Sequence, residues 1–167
     1  MPPPPASVLV LGLGNDILSD DAIGLRVAQA VRAQLAGHAD IEVKETTEMG
    51  LTLLDEISGY DGLVLVDAVQ TGRAAPGCLH EIEPGALPGV ATTSPHFLGV
   101  GETLALGRTL GLPMPRQVRI VAVEVADPFT LGTDLTPAVA AAVAAATERV
   151  ATVARIMAEA QNKALEQ

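Results

Sequence analysis

The stretch Gly62-Leu-Val-Leu-Val-Asp67 is apolar without a break until its final acid, and Val8 to Leu13 upstream has the same character. Runs of this kind, rich in β-branched residues and too short for an ordinary helix, read as strands buried on both faces. A strand with no polar face must be covered by helices above and below, so the segments between the runs are constrained as well. The core has to be aliphatic, because Tyr60, Phe97 and Phe129 are the only aromatic residues in 167 positions. That length suits one compact domain.

Helical and extended patterns alternate along the chain. Ala22 to Leu35 carries Ile23, Val27, Ala30 and Val31 at helical spacing, with Asp20 or Asp21 placed to cap it. Ile41 to Glu45 reads as a short strand and Leu51 to Ile57 as a short helix. Gly77 to Ile82 alternates as an exposed edge strand, Phe97 to Leu110 as a helix, and Val118 to Val125 as a further strand. Thr136 followed by Pro137 starts a last helix whose stripe is Val139, Val143, Ala146, Val150, Val153 and Met157. The expected class is α/β: a three-layer αβα arrangement with a mostly parallel, mixed, twisted sheet of about five strands. Residues 1–7 read as a disordered Pro-rich tail, 8–160 as the single domain and 161–167 as a frayed C-terminus.

Charge and composition exclude several classes. A formal charge of -10 repels phosphate backbones, and the aromatics needed for base stacking are scarce, so no nucleic-acid partner is expected. No apolar run reaches the roughly 18 residues of a membrane span, and the start of the chain lacks a signal peptide's basic and apolar regions. The lone Cys78 cannot form an internal disulfide, which fits a reducing cytoplasm.

Ligands of open α/β sheets collect at the carboxyl ends of the strands. Three features are expected there: the loop from Gly14 to Asp21, Asp67 at the end of its strand, and the Ser94-Pro95-His96 segment. Gly12-x-Gly14 invites a dinucleotide reading, but Ile17 stands where the third glycine belongs, and Asp16, Asp20 and Asp21 oppose a pyrophosphate. Each candidate also has a plain structural role. Asp67 would cap a loop, Asp21 would cap a helix, and His96 would bond a nearby carbonyl. Together Asp21, Asp67 and His96 form an O,O,N set with open positions, suited to zinc or nickel. Asp20 is expected to point elsewhere as a cap, making Asp20→Asn a mild control. Cys78 and His80 share one side of a strand, yet nothing near them in sequence supplies an orienting acid, so Cys78 reads as a packed thiol.

These blocks resemble the hydrogenase maturation endopeptidases. The resemblance is carried by Val10-Leu11-Gly12-Leu13-Gly14-Asn15 with Ser19-Asp20-Asp21-Ala22-Ile23-Gly24, by Val66-Asp67-Ala68, and by Ser94-Pro95-His96-Phe97-Leu98-Gly99. It implies a protease that removes a C-terminal extension from the large-subunit precursor of a NiFe-hydrogenase after nickel insertion. Asp21, Asp67 and His96 fall on the family's metal-contacting positions. Nickel would be supplied by the precursor, with no tightly bound metal in the isolated, monomeric protein. One departure is that the family's acid followed by Gly-Gly-Thr is here Glu45-Thr46-Thr47-Glu48, with Gly50 retained, so Glu45, Thr46, Thr47 and Gly50 are candidates for the substrate loop. The alternatives are a non-catalytic nickel or precursor chaperone and a nucleotide-binding module.

Overall fold

A computed structural model describes residues 6–48, 50–83 and 95–167, with the side chains of 95–98 outside the description. Most of the Pro-rich tail and Ser94 therefore fall outside the described residues. The elements are β1 (Val8–Leu13), a 3₁₀ turn (Ser19–Ala22), α1 (Ile23–Gln34), β2 (Ile41–Thr46), α2 (Thr52–Ile57), β3 (Gly62–Val69), β4 (Leu79–Ile82), α3 (Pro95–Thr109), β5 (Gln117–Glu124) and α4 (Pro137–Leu165). The five-stranded sheet has the order β2-β1-β3-β5-β4, parallel except for the antiparallel edge strand β4. This is the class the sequence predicts.

Alternation along the central strands sorts side chains by size. Val8, Val10, Val64, Val66, Val121 and Val123 face α1 and α4, whose buried stripe includes Ala142, Ala146, Val150, Ala151 and Ala154. Small residues on both sides let these helices lie close to the sheet. Leu9, Leu11, Leu13, Leu63, Leu65 and Ile120 face the other way, onto Leu53 and Ile57 of α2 and Val100 and Leu104 of α3. Longer side chains fill the layer under one short helix and one medium one, and each fully buried Leu contributes roughly 1.5–3 kcal/mol.

Two expectations need correction here. Asp67 does not end its strand, because β3 continues through Ala68 to Val69 and pairs with β5 as far as Glu124. The final helix runs to Leu165, past the predicted domain end at 160, and Asn162 donates to the Asp40 carboxylate at 3.1 Å. That helix has the length and apolar content of a membrane span. Its apolar stripe is nevertheless the main cover of the valine face, and it carries Glu148, Arg149 and Arg155. It is the core helix of a sheet domain.

Candidate functional site

Close packing at glycine builds the carboxyl edge. A Cβ on Gly14 would lie 2.2 Å from the Asp21 carbonyl oxygen, and one on Gly12 2.3 Å from that of Gly24. A Cβ on Gly24 would lie 2.1 Å from the Leu13 oxygen and 2.5 Å from the Val66 oxygen. These glycines therefore let the 3₁₀ turn and the start of α1 rest directly on the ends of β1 and β3. This gives Gly12-x-Gly14 a packing role in place of a phosphate-binding one. Asp21 emerges half-exposed from that turn, its N–H donating to the Leu18 carbonyl at 2.8 Å.

Neither acid caps α1 through its side chain: the N-cap position is Ala22, and it makes no side-chain cap bond. Asp20 instead is fully buried and reaches across the edge. Its carboxylate accepts from the amides of Ala126 (3.0 Å), Asp127 (2.9 Å) and Thr136 (2.7 Å), and from the Thr136 hydroxyl. Thr136 does precede α4 as predicted, but its hydroxyl serves Asp20 and makes no bond to the helix it precedes. Ser19 holds a left-handed φ of 38°, uncommon for a non-glycine residue. Its N–H donates to Gly132 and its hydroxyl to the Asp134 carbonyl, both at 2.9 Å. The first loop of the edge is thus stapled to the loop between β5 and α4. All acceptor positions of Asp20 face donors, so Asp20→Asn is not the mild change the sequence suggests.

Asp67 is fully buried within a strand face otherwise made of Leu63, Leu65 and Val69. By alternation it points to the side covered by α2 and α3. Its Oδ1 accepts the amide of Ala68 at 2.7 Å, in the manner of a loop-capping acid. The register ends with Gly12 opposite Val66, so Asp67 stands just beyond the paired part of β1, where the Asp21 loop departs. His96 is the second residue of α3, and its side chain lies outside the description. The segment after α3 is held at the amino edge, where Gly59 donates to Pro113 and Arg116 to Asp61, both at 2.9 Å. A fifteen-residue helix is about 22 Å long, so α3 carries its first turn toward the carboxyl edge. Among the described residues no three His, Cys, Asp or Glu side chains gather as a metal cluster.

The substrate-loop candidates divide between the two faces of the sheet, with Thr46 beside Leu13 on the face of Asp67 and Glu45 on the other. Glu45 accepts from Arg32 at 2.8 Å and from Gln29 at 2.9 Å, which ties it to α1 on the opposite face. Thr46 is buried and its hydroxyl accepts the Glu48 amide at 3.0 Å, while Thr47 and Gly50 are exposed. Glu45, Thr46 and Thr47 line an open groove of about 460 Å³ with Asp16, Arg26 and Thr133.

Sequence reasoning missed Glu124. It ends β5, is 1% exposed, and shares the face of Asp67. Its carboxylate accepts the Thr71 amide at 2.8 Å, the Thr71 hydroxyl, and a contact from His80 Nε2 at 3.2 Å. Burial pushes its pKa up, but the hydrogen bonds from Thr71 and the nearby His80 outweigh this and hold it below the ordinary value. The orienting acid that His80 lacked in sequence is therefore present in space. Cys78, in contrast, is exposed and not a packed thiol. The available signal was an acid closing the Val118–Val125 run, as Asp67 interrupts its own.

Comparison with known proteins gives relatives for the chain and for its fold. The family model described as hydrogenase maturation protease matches residues 25–153, a span that holds Asp67 and His96. The Hydrogenase 2 maturation protease of Escherichia coli is 32% identical over 147 residues, covering 86% of this chain and 87% of that protein. The hydrogenase expression/formation protein HupD of Thiocapsa roseopersicina is 29% identical over 133 residues, covering 78% of this chain and 59% of that protein. The solved structure of the hydrogenase maturating endopeptidase HybD from E. coli aligns with a TM-score of 0.73 at 30% identity, over 90% of this chain and 93% of that one.

Proposed function

Because this chain belongs to the hydrogenase maturation protease family, we propose that it is the endopeptidase that removes the C-terminal extension of a NiFe-hydrogenase large-subunit precursor after nickel insertion. The observation that carries the reading is Asp67, a fully buried acid in an apolar strand face beside the departure of the Asp21 loop. Burying a carboxylate is costly, and a role toward a cation gives a reason for the cost.

Nickel belongs to the substrate in this reading. Asp21, Asp67 and His96 offer two oxygens and a nitrogen, a donor set matched to a borderline divalent ion. Ligands drawn from three separate segments hold a lone ion loosely, and the precursor's own ligands complete the set. The peptide bond to be cut is then delivered with the metal centre. Water attacks its carbonyl carbon while a site carboxylate takes the water's proton. The C–N bond breaks, the proton passes to the leaving amine, and no covalent acyl-enzyme forms. The protein acts as a monomer in the cytoplasm, with no nucleic-acid or membrane partner.

The test is mass spectrometry of large-subunit precursors, with and without nickel, after incubation with this protein. Shortening of the nickel-loaded form alone is expected. A nickel-loaded precursor of unchanged length would indicate a chaperone and defeat the reading.

A further inference from the structure

Three exposed large apolar side chains are carried by two hydrogen-bonded loops at the carboxyl edge. Phe129 and Leu131 are each 75% exposed and Ile17 is 54% exposed. Leu131 and Ile17 are brought side by side because the Gly132 amide donates to the Ile17 carbonyl at 2.9 Å, within a parallel bridge from Leu18 to Gly132. Among the described residues, the other exposed large apolar side chains lie on α3 and its exit (Leu106, Leu110, Leu112), on α4 (Ile156, Leu165) and just before α2 (Leu51).

The loop presenting Phe129 and Leu131 is firmly held. Asp127 Oδ1 accepts the amides of Phe129 at 3.0 Å and Thr130 at 2.9 Å, and Asp20 holds Ala126, Asp127 and Thr136 from beneath. Arg26 adds a bond to the Thr133 carbonyl at 2.8 Å. Twelve residues without regular structure, fixed so that their apolar side chains stay in water, are characteristic of a binding loop. Ile17 stands four positions before Asp21 in the same loop, with Ser19 and Asp20 buried beneath the surface between them. Exposed carboxylates of Asp16 and Asp134 flank the patch.

We infer that Ile17, Phe129 and Leu131 form the docking surface for the folded large-subunit precursor, receiving an apolar patch of the precursor bordered by basic residues. The inference rests on the function proposed above. It assigns recognition to two places: the metal centre is met at Asp21 and Asp67, and the body of the precursor at this patch. The flanking carboxylates fix the charge of the partner's border and speed encounter, so binding weakens as salt rises.

The test compares wild type with a Phe129→Ser, Leu131→Ser double variant, measuring Kd for uncleaved nickel-loaded precursor by calorimetry and kcat and KM for trimming. Both side chains are mostly in water, so the melting temperature should hold. Kd and KM should rise at least about tenfold, the scale of losing an interface anchor, with kcat within about twofold. Phe129→Leu, which keeps an apolar side chain, should restore most of the affinity. If wild type trims the precursor and the double variant does so with unchanged KM, the docking surface is wrong while the protease reading stands. If wild type self-associates, and the double variant becomes monomeric with unchanged precursor affinity, the patch joins copies of this chain and the inference falls. If no precursor is trimmed, the protease reading fails, and Kd alone decides the docking surface: a tenfold loss upholds it and no change overturns it.

Discussion

Asp20 receives both the amide and the hydroxyl of Thr136, the amide at 2.7 Å, across 116 positions of sequence. The residue before Asp21 thereby fastens the first loop of the carboxyl edge to the start of the last helix. Two further amides, from Ala126 and Asp127, end on the same carboxylate.

Asp20→Asn should accordingly be strongly destabilising. The new amide group would point donors at donors and leave at least one buried N–H unsatisfied. The expected loss is about 2–4 kcal/mol, which for a chain of this size lowers Tm by roughly 5–15 °C. Thermal melting monitored by circular dichroism checks it. A Tm within experimental error of wild type would show that the clasp contributes little.

Glu124 gives a pH dependence of defined sign. Its folded pKa lies below the ordinary 4.5 because Thr71 and His80 outweigh the effect of burial. Its bonds therefore stabilise fully above that value, and the contribution is lost as pH falls from 4.5 through the folded pKa. Glu124→Gln should cost roughly 1.5–3 kcal/mol near neutral pH. The gap between wild type and variant should narrow on acidification through that window. Urea titrations across the range measure the gap, and a constant difference would contradict the assignment.

Asp67→Ala and His96→Ala should each abolish processing of nickel-loaded precursor while the protein stays folded. Function-bearing polar residues are commonly not stabilising ones. Processing at a near wild-type rate would remove that residue from the site. If Asp67→Ala instead melts far below wild type, its bond to Ala68 is the reason it is there.

The fold was legible because unbroken apolar runs declare buried strands, as in β1 and the first five residues of β3, and β5 carries such a run from Ile120 to Val123. The antiparallel direction of β4 was not, since a short alternating strand carries no sign of which way it pairs. Asp21 and Asp67 could be assigned to the carboxyl edge from their place after or within a strand. The Asp20 clasp and the Glu124–His80 contact could not, because they join residues 106 to 116 and 44 positions apart. Capping of α1 was misread for a local reason. Two acids before a helix look like caps, but the turn from Ser19 to Ala22 continues into the helix and leaves Asp20 free to bond the opposite loop.

Activity should depend on nickel in the precursor and not on a metal loaded beforehand into the protease. Asp21 comes from a turn, Asp67 from the interior of β3 and His96 from the first turn of α3. Such a set pre-orders few ligand positions by itself, and affinity for a free ion falls when the cage is incomplete. A nickel centre arriving with its own ligands from the precursor adds the missing coordination and the peptide contacts together. The measurement is cleavage of metal-free precursor by protease pre-incubated with zinc, beside nickel-loaded precursor and untreated protease. Trimming is expected only in the second mixture. Efficient trimming in the first would mark an ordinary metallopeptidase and end the view of nickel as the recognition element.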